Sequence, residues 1–150
     1  MTAEEMWQAF RCANPHITGR AQSWQFGGEA DLLSALVLRG EKTATSSAHA
    51  LYAAEGEPLS RAGTFHVIED SGGRAVCIIE TTRVLVEAFC RVSAAHAARE
   101  GEGDKSLEYW RRVHREAFSN WLAEAGLPFC ENSSVVLEEF RKVWPDSEAV

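Results

Sequence analysis

Arg39-Gly-Glu-Lys-Thr-Ala-Thr-Ser-Ser47 follows directly on the apolar run Leu32-Leu-Ser-Ala-Leu-Val-Leu38, and the chain changes character at that junction. Upstream, Leu32, Leu33, Leu36 and Val37 recur at helical spacing between Glu29 and Arg39, with acidic residues in the first turn and an arginine in the last. Gly40 stands where a helix closes on a left-handed residue. Downstream, Thr43 to Ser47 is β-branched and hydroxyl-rich, the composition of a short strand. Lys42, one of three lysines in the chain, therefore leaves a glycine cap and enters extended structure, with four hydroxyl side chains in the next five residues. In a regular strand Thr43 and Thr45 share one side and Lys42 takes the other; an irregular segment would let Lys42 and Thr45 converge.

Outward from this junction the remaining elements follow. Thr2 and Glu5 have the form of a capping box, and Met6, Phe10 and Ala13 then recur at helical spacing, which predicts a helix over 3–13 ended by Asn14-Pro15. His16 to Gly28 reads as a loop anchored by Trp24 and Phe26. Beyond Ser47 come a short helical turn over 48–55, a loop over 56–63, and a hairpin of 64–69 and 74–86 joined by Asp70-Ser-Gly-Gly73. The consecutive hydrophobes Val76 to Ile79 require cover on both faces of the sheet. Ser93 caps a short helix to Arg99, and the stripe Leu107, Trp110, Val113, Phe118, Trp121, Leu122 marks a long amphipathic helix ended by Gly126 and Pro128. Ser133 to Trp144 has strand composition. Helices mixed with antiparallel strands in this order indicate an α+β fold, and 150 residues at 45% hydrophobic suit a single domain over 1–150.

The acidic start Met1-Thr-Ala-Glu-Glu5 and the lack of a long apolar run predict neither a secretion signal nor a membrane span, so a cytoplasmic protein is expected. The four cysteines include no CxxC pair and read as reduced thiols. No histidine spacing gathers a metal, and Gly40-Glu-Lys-Thr43 fails as a phosphate loop because its lysine does not follow glycine directly; no metal and no cofactor are expected. A net charge of −7 argues against a broad grip on long nucleic acid while leaving room for a local basic groove, for which Arg111, Arg112 and Arg115 are placed on one helix.

Two further stretches can carry chemistry. Glu100-Gly-Glu-Gly-Asp-Lys105 can bring carboxylates to a ligand, or can be a solvated loop capping the next helix through Asp104 or Ser106. Tyr109 beside the arginines suits a stacked base, whereas Trp110 falls on the apolar stripe and reads as core.

Gly40-Glu-Lys-Thr-Ala-Thr45, the loop from Glu57 to Gly63, and Glu100-Gly-Glu-Gly-Asp-Lys-Ser-Leu-Glu-Tyr-Trp-Arg111 together resemble the ASCH domain family, related in fold to PUA domains, over about 24–144. The resemblance implies a small β-barrel flanked by helices, with a cleft between, and a single-stranded RNA or nucleoside ligand. It implies one of two activities: cleavage of single-stranded RNA, which is placed first, or deacylation of N4-acetylcytidine. In the amidohydrolase relative a Lys, a Thr three residues on and a distant Glu act; by motif these fall on Lys42, Thr45 and Glu100, with Glu102 also available. Arg39, Asp104, Lys105, Tyr109 and Arg112 complete the expected contacts, Arg39 or Lys105 supplying a positive charge beside Lys42. A third reading is a binding module without catalysis. Ser46 and Ser47 receive no role.

Overall fold

The computed structural model describes residues 1–145. Helix α1 (Ala3–Ala13) starts on the capping box: the Thr2 hydroxyl accepts from the Glu5 N–H and the Glu5 carboxylate from the Thr2 N–H. Helix α2 (Ala30–Leu38) ends as the glycine requires. The Glu41 N–H reaches the Leu36 carbonyl at 2.9 Å and the Gly40 N–H the Val37 carbonyl at 3.0 Å, with Gly40 at φ 80°. The other elements are β1 (Gln22–Trp24), β2 (Ala44–Ala48), α3 (His49–Glu55), β3 (Phe65–Glu69), β4 (Ala75–Ala88), α4 (Ala94–Glu100), α5 (Leu107–Glu124) and β5 (Ser134–Trp144).

The strands form one sheet in the order β1-β3-β4-β5-β2, antiparallel throughout except for β1 against β3. It curls into a half-barrel flanked by helices, an α+β architecture of the PUA-like kind. One expectation needs correcting. Residues 22–24, taken as loop, form an edge strand parallel to β3. Three residues are too few to show a period, and their partner lies far along the chain, so no local signal marks them.

Both faces of β4 are covered, as its unbroken apolar run demands. Cys77 and Ile79 pack with Val37, Phe26, Ile68 and Phe140 on the α2 side, while Ile78 between them packs with Met6, Trp7 and Phe10 of α1. A third cluster joins Trp110, Phe118 and Leu122 of α5 to Phe89, Val135 and Leu137.

Helix α4 ends against residues 41–43. The Thr43 N–H donates to the Arg99 carbonyl at 2.7 Å, and Gly101, at φ 70°, lies so close that a Cβ there would stand 2.2 Å from the Glu41 carbonyl oxygen. Lys42 is thereby clamped between the C-termini of α2 and α4. Among the described residues no helix is long and apolar enough to cross a membrane.

Candidate functional site

The Lys42 side chain, only 1% exposed, runs into the space between β2, α4 and α5. Its Nζ lies 2.7 Å from Glu102 Oε2 and 3.3 Å from Glu100 Oε1, and 5.3 Å above the Phe26 ring. A buried cation is costly unless paired and hydrogen-bonded, and two carboxylates meet that requirement. Glu100, fully enclosed, is the hub. Its Oε2 accepts from Trp110 Nε1 at 2.5 Å and from the Ser46 hydroxyl, and lies 2.8 Å from His96 Nε2; its Oε1 lies 3.5 Å from His114 Nε2. With its lone pairs committed, Glu100 is an anchor. Among the described residues the Glu102 carboxylate has one partner, Lys42, and its side chain is 15% exposed, so it is the glutamate that a ligand can reach.

The two histidines differ. His114 Nδ1–H donates to the Trp110 carbonyl at 2.9 Å, the ring stacking on Trp110 at 4.4 Å, so Nε2 faces Glu100 and carries a proton in the imidazolium form. Burial pushes His114 down, but hydrogen bonding and charge from Glu100 outweigh it and raise its pKa above 6.5. For Glu100 burial works upward, and Lys42, His114 and His96 overcome it to hold the carboxyl well below its ordinary 4.5. The His114 contribution to stability is complete below pH 6.5 and is lost as pH rises through the raised folded value; that of Glu100 is present above pH 4.5 and is lost as pH falls through its lowered one. Urea midpoints from pH 6 to 9 are expected to fall more steeply for the wild type than for His114→Gln. Parallel curves would show that His114 is not coupled to Glu100.

Ser46, His96 and Glu100 superficially form a hydrolase triad. In such a triad the base uses different ring nitrogens for the nucleophile and the acid. Here Ser46 Oγ at 3.0 Å and Glu100 at 2.8 Å both meet His96 Nε2, and the Ser46 proton goes to Glu100. Serine activation is not what this geometry does. Glu100, Glu102 and His114 also present ligand atoms within 4.8 Å of one another, a set that could hold a metal ion, but the Lys42 ammonium already contacts both carboxylates.

Of the residues expected from sequence, the structure brings together Lys42, Glu100 and Glu102. Thr45 lies apart: it is paired across to Glu138 of β5, on the side of β2 opposite Ser46, and among the described residues its hydroxyl makes no hydrogen bond to Lys42 or Glu100. Ser46, given no role, is at the hub instead. Arg39 pairs with Glu41 in solvent and Lys105 is exposed, so neither stands beside Lys42. Asp104 accepts from the Ser106 N–H at 2.9 Å, and Ser106 caps α5, the capping role read as the alternative for this loop. Tyr109 is half-buried with its ring against Gly103, where a Cβ would fall 2.5 Å from it, and Arg112 stacks over the ring at 5.5 Å. Arg111 and Arg115 are engaged with the Cys90 carbonyl and Glu131. Trp110 is core, as read, but its indole N–H also serves the site. His96 and His114 went unread, although each stands four residues along a helix from a site partner, Glu100 and Trp110.

A curled half-barrel holding a buried lysine between a helix-terminal glutamate and a glycine-loop glutamate defines a class of small domain. A model of the ASCH domain matches residues 22–144, and the chain belongs to that family. The crystal structure of an ASCH domain from Lactobacillus crispatus JV V101 is 33% identical, with a TM-score of 0.84, covering 93% of this chain and 92% of that one. A protein from Enterococcus faecalis V583 is 32% identical, with a TM-score of 0.86 and coverage of 93% and 86%. A hypothetical protein at 16% identity and a TM-score of 0.52, covering 82% of this chain and 97% of that one, shares the fold alone. No curated protein matches the chain.

Proposed function

We propose that the protein cleaves single-stranded RNA without a metal, using Lys42, Glu102 and His114. The observation that carries this is the convergence on one point of an ammonium, an accessible carboxylate and a histidine with a raised pKa. Glu102 takes the proton from a ribose 2′-hydroxyl, and the new 2′-oxygen bonds to the adjacent phosphorus. The bond from phosphorus to the 5′-oxygen breaks, and His114 Nε2–H protonates that oxygen. Lys42 carries the charge that develops on the phosphorane. Products are a 2′,3′-cyclic phosphate and a free 5′-hydroxyl. Movement of Glu102, on its glycine loop, uncovers the ammonium to the phosphate. Tyr109 with Arg112 offers a stacking platform beside the loop.

Deacylation of N4-acylcytidine, with Thr45 as nucleophile and neutral Lys42 as its base, has less support: Thr45 lies on the far side of β2, and the groups at Lys42 are carboxylates rather than a cation. The test is purified protein on a single-stranded oligoribonucleotide, with end-group analysis, beside N4-acetylcytidine. Cyclic phosphate ends are expected from the wild type, reduced at least about 100-fold in Glu102→Gln and in His114→Ala, with activity falling as pH rises through the His114 pKa. Equal cleavage by these variants would assign the activity to a contaminant. Saturable binding without product would make the protein a binding module.

A further inference from the structure

Strand β4, at 14 residues, outruns the partner on one of its sides. Its first half pairs with β3 as far as Glu80 opposite Phe65, and the Thr81 N–H still donates to the Thr64 carbonyl. A bulge follows between Thr81 and Arg83, and from there to Ala88 the strand is paired with β5 alone. Residues 82–88 are therefore an open edge. Phe89 fixes which groups point outward: its N–H donates to the carbonyl of Ser133, the next position in register, at 2.9 Å. Glu87, Leu85 and Arg83, at alternate positions, then bond toward β5. The N–H and carbonyl groups of Val84 and Val86 face away from it, and among the described residues nothing pairs them.

An open edge is a template for another strand, and proteins ordinarily close it with charges of one sign, proline or a covering loop. This one carries apolar side chains on both faces: Leu85 is 42% exposed and Val86, on the opposite face, 47%. Its charges are of opposite sign. Arg83 and Glu87 flank Leu85 two residues to either side, on the same face. The Arg83 guanidinium is exposed, and its ion pair among the described residues is a 3.4 Å contact with Glu139. Glu87 commits one carboxylate oxygen to the Ala88 N–H at 2.9 Å, and among the described residues its other oxygen has no partner.

We propose that two copies of this chain pair their β4 edges antiparallel, about a two-fold axis at Leu85, and so continue the sheet across a dimer. In that register Leu85 meets its own counterpart at a non-hydrogen-bonded position, where side chains lie closest. Val84 and Val86 exchange N–H and carbonyl bonds with Val86 and Val84 of the second copy, which satisfies every outward backbone group between Arg83 and Glu87. Arg83 stands opposite Glu87 at both ends, giving two cross-strand ion pairs. Moving the axis by one residue sets Arg83 against Leu85 or Phe89 and loses both pairs. An extended peptide of another protein could use the backbone groups, but the alternation of charge and apolar residue is complementary to itself. The inference stands apart from the Lys42 chemistry, none of whose residues lies on β4.

Sedimentation equilibrium of the full chain is expected to show monomer and dimer exchanging with a Kd of roughly 10–100 µM, the weak end suited to so short an interface. Arg83→Glu and Glu87→Arg each set like charges against one another at both ends and should weaken association roughly tenfold. An equimolar mixture of the two variants restores both ion pairs and should associate roughly tenfold more tightly than either alone. The Arg83 contact with Glu139 is lost in Arg83→Glu whether alone or mixed, so it cancels from that comparison. Both positions are on the strand's outer edge, and circular dichroism melts verify that each variant is folded. Amide exchange at Val84 and Val86 should slow as wild-type concentration rises. A folded wild type still monomeric at about 1 mM would overturn the proposal and leave the edge to a peptide of another protein. Association unchanged in Arg83→Glu, a mixture no tighter than its components, or exchange at Val84 and Val86 independent of concentration would overturn it equally.

Discussion

Lys42→Met is expected to destabilise the protein by about 3–5 kcal/mol, the usual result of removing one partner of a buried ion pair. The variant keeps an apolar stem as long as that of lysine and deletes the terminal ammonium, so cavity formation contributes little. What it leaves is Glu100, enclosed and ionised, and Glu102 at its edge, facing each other with no cation between them. The melting temperature should drop by roughly 6–20 °C, at 2–4 °C per kcal/mol for a chain of this size. Glu100→Leu should be as damaging, since Trp110, Ser46 and both histidines lose their acceptor along with Lys42. Combining the two restores charge balance, and the double variant should lie at least about 1 kcal/mol above the sum of the single losses. A Lys42→Met cost below about 1 kcal/mol would mean that water reaches the pair, and the closed site described above would be wrong.

Gly101→Ala should cost about 2–5 kcal/mol, and Gly40→Ala only about 1 kcal/mol. Both glycines have positive φ, 70° and 80°, so both substitutions carry the strain of a left-handed alanine. They differ in what the new methyl meets. At Gly40 nothing among the described residues lies within 4 Å; at Gly101 the Cβ would sit 2.2 Å from the Glu41 carbonyl oxygen and 3.2 Å from the Lys42 backbone nitrogen. Backbone cannot rotate aside as a side chain can, so the end of α4 must draw away from β2 and carry Glu100 off Lys42. Chemical denaturation of the two variants isolates that contact. Equal costs at the two positions would show that the α4 junction yields freely.

These two glycines also show what was legible beforehand. Gly40 could be assigned from the apolar run before it, because a helix stop is a local event within one turn. Gly101 could only be read as part of a flexible acidic loop, since its reason for being glycine is a backbone distant in sequence. Lys42 at its glycine cap and the carboxylates of the glycine-interleaved 100–105 loop stood out from their own residues, the family resemblance joined them into one site, and the structure separated anchor from reachable acid through the partners around Glu100. Thr45 and Ser46 illustrate the opposite case: adjacent hydroxyls in a strand fall on opposite faces, and the neighbour of the expected residue proved to be the one at the hub.

The sequence by itself determined the capped helices, the hairpin and its doubly covered strand, and the α+β class, because caps, turns and apolar periods act between residues close along the chain. Only the tertiary structure decided the edge strand β1, the partners of Lys42, and the places of His96 and His114 around Glu100. Each depends on which face of one element meets which face of another, a choice made by packing the two sides of a curled sheet at once.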